Sequence, residues 1–170
     1  RRLSSAASDV YKRQPAMAAS AELAFNEASK SGKLLGGKSI MVERADSTCV
    51  DSAAATTAAE GLINNGVLAI MGADCSGVTG AIATNVAVPK GVVMISPSAT
   101  SPGLTDLNDK GYFFRTAPSD ARGGQILADI TKDRKVKTIA VTHTNNDYGK
   151  GLADVYVAAV KEHGINVTAV

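Results

Sequence analysis

Val67–Ile95 reads VLAIMGADCSGVTGAIATNVAVPKGVVMI. Two apolar runs, VLAIMG and VVMI, bracket a segment of helix length that closes on a Pro-Lys-Gly turn. Neither run alternates with polar residues. Short, wholly apolar runs are what strands become when a parallel sheet buries them on both faces. The stretch therefore predicts strand, loop, helix, turn and strand, the repeating unit of an α/β fold. Its loop, GADCSG, raises a chemical question. Cys75 reads as a nucleophile, half of a disulfide or a packing residue, and Ser76 as a catalytic hydroxyl, a helix cap or a ligand contact.

The same alternation extends both ways. Ala18, Ala21, Leu23, Ala24 and Ala28 form an apolar stripe at helical spacing, and Gly32 stands where a C-cap belongs. SIMVERAD, residues 39–46, alternates like a strand. DSAAATTAAEGLINNG predicts a helix capped by Asp51 or Ser52 and ended by Asn64-Asn65-Gly66. Beyond Ile95 the chain passes through SPSATSPGLTD and the extended YFFRTAPSD. A helix follows, with a weak spot at the paired Gly123–Gly124. KTIAVTHTNND (strand), YGKGLADVYVAAVKEHG (helix) and INVTAV (strand) complete it. The predicted class is α/β, a parallel sheet flanked by helices, with a domain boundary at the extended link Arg115–Pro118.

The chain has 170 residues, 45% hydrophobic and 20% charged, an ordinary balance for a soluble globular protein. No apolar stretch reaches the roughly 18–20 residues of a membrane span. The net charge of +2 rests on the first 14 residues, RRLSSAASDVYKRQ, where Arg1, Arg2, Lys12 and Arg13 face only Asp9. The remainder has no basic excess, which argues against nucleic acid as a partner. This leader lacks the apolar core of a secretory signal. It resembles a translated adapter sequence; the rival reading is a genuine basic tail. Under either, residues 1–14 are set apart as a non-native leader and excluded from the reading of the fold.

In an open parallel sheet, ligands bind beyond the carboxyl ends of the strands. GADCSG, SPSATSP and HTNNDYG fall there, all rich in hydroxyl or amide groups. Each runs toward a possible helix start, where free N–H groups favour an anion. Ser76 and Thr100 read equally as caps or turn residues, Tyr148 as a packing aromatic, and His143 and His163 as structural. Two Cys and two His at no ligand spacing predict no metal. The phosphate-loop and dinucleotide patterns are missing, so no cofactor is expected.

Cys49 and Cys75 each follow a strand. If consecutive strands lie side by side, both emerge at one edge within bridging distance. A bridge would close a loop of about 27 residues, worth roughly 3.5 kcal/mol by chain entropy, and would indicate an oxidising compartment. The alternative is a reactive Cys75 thiol at a helix start.

With these segments placed, the chain resembles the type I periplasmic binding proteins, specifically the leucine/isoleucine/valine-binding branch that serves branched-chain amino acid ABC transporters. The resemblance rests on ADSTCVDSAAATTAAEGLINNGVLAIMGADCSG, GVVMISPSATSPGLTD, YFFRTAPSD and NNDYGKGLADV, in order, from about Ala16 to Val170. It implies two α/β lobes with a small ligand held between them: lobe I at 15–116 without its first strand, and a truncated lobe II at 117–170. It implies that Ser76 and Thr100 donate to an amino acid's carboxylate, that Ser98 and Ala99 belong to the same grip, the Ser98 carbonyl accepting from the ammonium, that Tyr148 closes over the ligand, and that Cys49 and Cys75 pair. The acid that completes the ammonium site would lie beyond Val170.

The implied function is a non-enzymatic, periplasmic solute-binding protein that is monomeric when full length, its signal peptide lying outside this chain. It would deliver a branched-chain or related amino acid to ABC transporter permease subunits. The alternatives are a ligand-sensing receptor or regulator of the same fold, and a cysteine-dependent enzyme using Cys75.

Overall fold

The computed structural model describes residues 2–6 and 14–170. Residues 1 and 7–13 of the expected leader lie outside the described residues. In chain order the elements are β1 (Arg2–Ala6), α1 (Gln14–Lys30), β2 (Met41–Ala45), α2 (Ser52–Asn64), β3 (Val67–Met71) and α3 (Ser76–Ile82). A π-helical turn (Ala83–Ala87) leads into α4 (Val88–Lys90), then β4 (Val93–Ser96), β5 (Phe113–Arg115), α5 (Asp120–Asp133), β6 (Thr138–Ala140), α6 (Asp147–Glu162) and β7 (Asn166–Ala169). The chain divides into two compact units. The first runs to Ala99 and includes Asn108–Ala117; the second is Thr100–Leu107 with Pro118–Val170.

The first unit is built on a five-stranded sheet in the order β2-β1-β3-β4-β5, parallel at every pairing. The leader set aside in the sequence analysis supplies β1. Arg2–Ala6 pairs with Met41–Ala45 on one side and with β3 on the other. The physical reason is that strand pairing uses backbone N–H and C=O groups, which Arg-Leu-Ser-Ser-Ala supplies as well as any sequence. Without β1, the facing edges of β2 and β3 would be unpaired. Winding reverses between β1 and β3, and at such a switch point the loops leave a crevice at the carboxyl ends.

Ile70, Met94 and Phe113 lie in register across β3, β4 and β5, and all are buried. Ala55, Ala59 and Leu62 of α2 and Val78, Ile82 and Val86 of the next helical run are buried with them. The prediction that these strands are buried on both faces holds for one face only. The neighbouring row, Met71–Ile95–Phe114, leaves Ile95 39% and Phe114 52% exposed, and Leu68 of β3 is 52% exposed.

The helical run from Ser76 to Lys90 owes its shape to sequence spacing. Beyond Ser76, its buried residues fall in pairs, Val78–Thr79, Ile82–Ala83 and Val86–Ala87, four positions apart. An α-helix turns every 3.6 residues, so a four-residue repeat drifts by roughly 40° at each step. The wider π turn at Ala83–Ala87 absorbs that drift and keeps all three pairs on one face.

Asp51 caps α2, accepting from the N–H groups of Ala53 (3.0 Å) and Ala54 (2.9 Å). Arg44 Nε donates to Glu22 Oε1 at 2.6 Å, tying β2 to α1. That hydrogen bond holds the Glu22 carboxyl below its ordinary value.

The second unit carries a parallel pair, β6 with β7, packed by α5 and α6. Ala128, Val160 and Ile165 are its buried centre, with Ile139, Tyr156 and Val167 against them. Gly124 is no weak spot. A Cβ there would lie 2.7 Å from Val155 Cγ1 and 3.1 Å from the Tyr156 backbone nitrogen, so it lets α5 approach α6. Gly123 faces open space.

The units divide differently from the expected 15–116 and 117–170, because Thr100–Leu107 belongs with the second. The Asp120 N–H donates to the Thr100 carbonyl at 2.9 Å. Gly151 of α6 leaves room for this segment: a Cβ there would come within 2.9 Å of Ser101 Oγ and 3.0 Å of Pro102 Cδ.

Candidate ligand-binding site

The loops after β3 and β4 form one polar rim. The Gly72 N–H donates to the Ile95 carbonyl at 2.8 Å, carrying the pairing past the end of β3. The Ala73 carbonyl accepts from Ser96 Oγ (2.6 Å) and Thr79 Oγ1 (3.2 Å), and Ser96 Oγ accepts from the Ala99 N–H (3.1 Å). Ser96 and Thr79 are fully buried. A single hydroxyl thus fixes both loops by donating to one and accepting from the other. Ser98 Oγ donates to the Asp74 carboxylate and lies 3.1 Å from the Asp74 backbone carbonyl. Having one proton, it makes the charge-assisted bond. At the end of β5, Arg115 Nη1 donates to the Ala99 carbonyl at 3.3 Å.

Ser76 opens α3, with Cys75 as the cap residue, and is only 4% exposed. Cys75 is bonded to Cys49, their Cα atoms 5.2 Å apart. The expected route to this bridge is corrected. β2 and β3 are not neighbours, because β1 lies between them. The loop after β2 reaches across instead. It turns through Thr48 (φ 58°) and Cys49 (φ 104°), held by the Thr48 N–H to Asp46 Oδ1 (2.8 Å) and the Asp51 N–H to Thr48 Oγ1 (3.0 Å). With its sulfur in a disulfide, Cys75 offers no thiolate.

Ser76, Ser98 and Ala99 therefore share one rim in the first unit. Thr100 and Tyr148 belong to the second. Thr100 Oγ1 donates to Asp120 Oδ2 at 2.6 Å. Its proton is committed to a carboxylate of this protein, so here the hydroxyl has only lone pairs to offer a ligand. Tyr148 sits in the first turn of α6 and is 45% exposed, which sets aside its reading as a packing aromatic. The turn before it is tight: the Gly149 N–H donates to Asn146 Oδ1 (2.9 Å), and a Cβ at Gly149 would meet the Thr144 carbonyl at 2.6 Å. His143 Nδ1 lies 2.9 Å from the Thr144 carbonyl, and His163 Nε2 lies 2.8 Å from Asp129 Oδ1.

Sequence reasoning missed Asp74, Ser96, Thr79 and Asp120. A signal existed for one of them. Met71 and Ile95 are in register, and Asp74 and Ser98 follow at equal offsets, so they face each other across the rim. Among the described residues no three His, Cys, Asp or Glu side chains gather as a metal site, and no helix is long and apolar enough to cross a membrane.

Residues 16–170 match the family model described as the receptor family ligand binding region. The Leu/Ile/Val-binding protein homolog 3 of Brucella melitensis is 33% identical over 146 residues, covering 85% of this chain and 39% of that protein. The leucine-, isoleucine-, valine-, threonine-, and alanine-binding protein of Pseudomonas aeruginosa is 38% identical over 125 residues, covering 72% and 32%. An ABC transporter substrate-binding protein from Desulfitobacterium hafniense, solved in complex with Leu, matches with a TM-score of 0.79 at 25% identity, over 99% of this chain and 49% of that one. A solute-binding protein from R. palustris, in complex with 4-hydroxybenzoate, has a TM-score of 0.80 at 16% identity over 99% and 45%, a likeness of fold. The chain spans about two fifths of the length of the first of these curated relatives. On the matched family model and these relatives, the chain belongs to the receptor family ligand binding region, as a type I periplasmic binding protein of the leucine/isoleucine/valine-binding branch.

Proposed function

We propose that this chain is part of an extracytoplasmic solute-binding protein that captures an amino acid and delivers it to the permease subunits of an ABC transporter. The carrying observation is the rim after β3 and β4, where Ser76, Ser98 and Ala99 stand at the carboxyl ends of adjacent parallel strands. In this reading the Ser76 hydroxyl and the N–H groups at the start of the helical run receive the ligand carboxylate. The Ser98 carbonyl and the Thr100–Asp120 pair receive the ammonium, and Tyr148 contributes from α6. The names of the relatives, and the leucine found in the Desulfitobacterium structure, support an amino acid as ligand. The disulfide suits an oxidising, periplasmic location. The protein acts as a monomeric carrier, not a catalyst. Isothermal titration of the full-length protein with leucine, isoleucine, valine and their polar analogues tests it; absence of binding to every one defeats the amino-acid reading.

The description of the matched family favours a second reading, a receptor or regulator domain that senses the same ligand class. Co-purification of the full-length protein with permease subunits supports the carrier; association with a signalling protein alone supports the sensor.

A further inference from the structure

The rim segment that carries Ser76 is tied from two sides. Toward β4, the Ala73 carbonyl accepts from Ser96 Oγ at 2.6 Å and the Gly72 N–H donates to the Ile95 carbonyl at 2.8 Å. Toward β2 the tie is covalent. Cys75, the residue before Ser76, is bonded to Cys49, whose loop reaches across β1 to make the bond. A tether holds position only if its far end is itself held, and this one is. Asp46 Oδ1 accepts from the Thr48 N–H at 2.8 Å, Thr48 Oγ1 accepts from the Asp51 N–H at 3.0 Å, and Asp51 caps α2. Ser47 in the same loop is 2% exposed, so the loop is packed down. Both cysteines are only half-buried, within reach of a small thiol.

We propose that Cys49 is a positioning residue for the ligand site: through Cys75 it holds Ser76 in place to receive the ligand's carboxylate, so that affinity falls when the bridge is reduced. This rests on the amino-acid reading above. A dithiol reductant supplies the two electrons and two protons. The S–S bond breaks, each sulfur becomes a thiol, and the reductant leaves as its own disulfide. The Ser96 tie remains on the β4 side, and the segment loses its covalent hold on the other. Ligand binding must then order what the bridge had ordered in advance, which lowers the affinity. A segment that keeps the competent geometry about a tenth of the time binds about tenfold more weakly.

The test is isothermal titration of the full-length protein with leucine, isoleucine, valine and their polar analogues, oxidised and in dithiothreitol, for the native protein and for Ser76→Ala. Circular dichroism confirms that each sample is folded. Reduction is expected to weaken the native protein's best ligand at least about tenfold. In Ser76→Ala the same reduction is expected to do much less, because the hydroxyl that the bridge positions is gone; a bridge that merely stiffened the fold would weaken both backgrounds equally. Cys49→Gly, which opens the bridge while tolerating the positive φ, keeps the test decisive if the reduced native protein does not stay folded. Should Ser76→Ala bind too weakly to titrate, amide hydrogen exchange of the unliganded protein decides: reduction is expected to speed exchange at residues 76–79 about tenfold and to leave Val93–Ser96 of β4 unchanged. A smaller loss of affinity in the folded, reduced protein, an equal loss in Ser76→Ala, or exchange that rises equally in β4 overturns the role of Cys49 and leaves the amino-acid reading standing. Failure of the oxidised native protein to bind any of these amino acids removes both.

Discussion

Cutting the Cys49–Cys75 bridge should lower stability by an amount that follows from two opposing effects. The bridge joins residues 26 positions apart. Closing a loop of that length removes about 12 cal/mol/K from the unfolded chain, or about 3.5 kcal/mol at 25 °C. Against this stands the backbone that reaches across β1. Thr48 and Cys49 sit at φ 58° and 104°, where a side chain is disfavoured by about 1 kcal/mol. Part of that cost relaxes once the bridge is gone, so the net loss should be about 2–3 kcal/mol. The assay is urea denaturation of the full-length protein, oxidised, reduced and as Cys75→Ser, followed by circular dichroism. With a slope of about 2 kcal/mol/M, the midpoint should fall by about 1 M. Cys49→Gly in reductant should recover about 1 kcal/mol relative to Cys49→Ser, because glycine tolerates positive φ. A midpoint that reductant leaves unmoved, or a Gly variant no more stable than the Ser variant, would refute the reasoning.

Gly124→Ala should destabilise the protein by about 1–3 kcal/mol, since its methyl meets Val155 and the α6 backbone, whereas Gly123→Ala, facing open space, should stabilise by about 0.5 kcal/mol; thermal melts of both check the contrast. Ser96→Ala should cost about 1–3 kcal/mol in urea titrations, because the buried Ala99 N–H loses its acceptor, and ligand affinity should fall with it as the two rim loops come apart. Arg44→Met should return the Glu22 carboxyl to its ordinary value, read by side-chain NMR titration. Because the folded value is depressed, the Arg44 contribution should be present above the unfolded value near 4.5 and vanish as pH falls through the folded one, so native and Arg44→Met stabilities should converge in acid.

The strands β3 and β4 were legible because apolar runs such as VLAIM and VMIS have few other uses in a soluble protein. α2 was legible from Asp51 at its start and Gly66 at its end. β1 was not, because Arg-Leu-Ser-Ser-Ala has no apolar pattern and its place is fixed by backbone pairing on both sides. The same gap led to the wrong path for the disulfide, since the intervening strand decides what the loop after β2 must cross. Seating Thr100–Leu107 in the second unit required knowing that Gly151 makes space for Pro102, a contact between residues far apart in sequence. The direction of the Thr100 hydroxyl depends on Asp120, which no local motif singles out.

The wide turn at Ala83–Ala87 makes this stretch unusually forgiving of a length change. Deleting a single residue there, an error that ordinarily throws a helix out of phase, would collapse the π turn into regular α-helix. Everything ahead of it, including Ser76 and Cys75, would keep its place on the rim. Everything behind it, from Val88 to the Gly91 bend, would keep its direction as well, because the residue lost is the extra one that the π turn accommodates. Homologues one residue shorter in this stretch should therefore need no compensating insertion, either before Val93 or within the loop that holds Ser76.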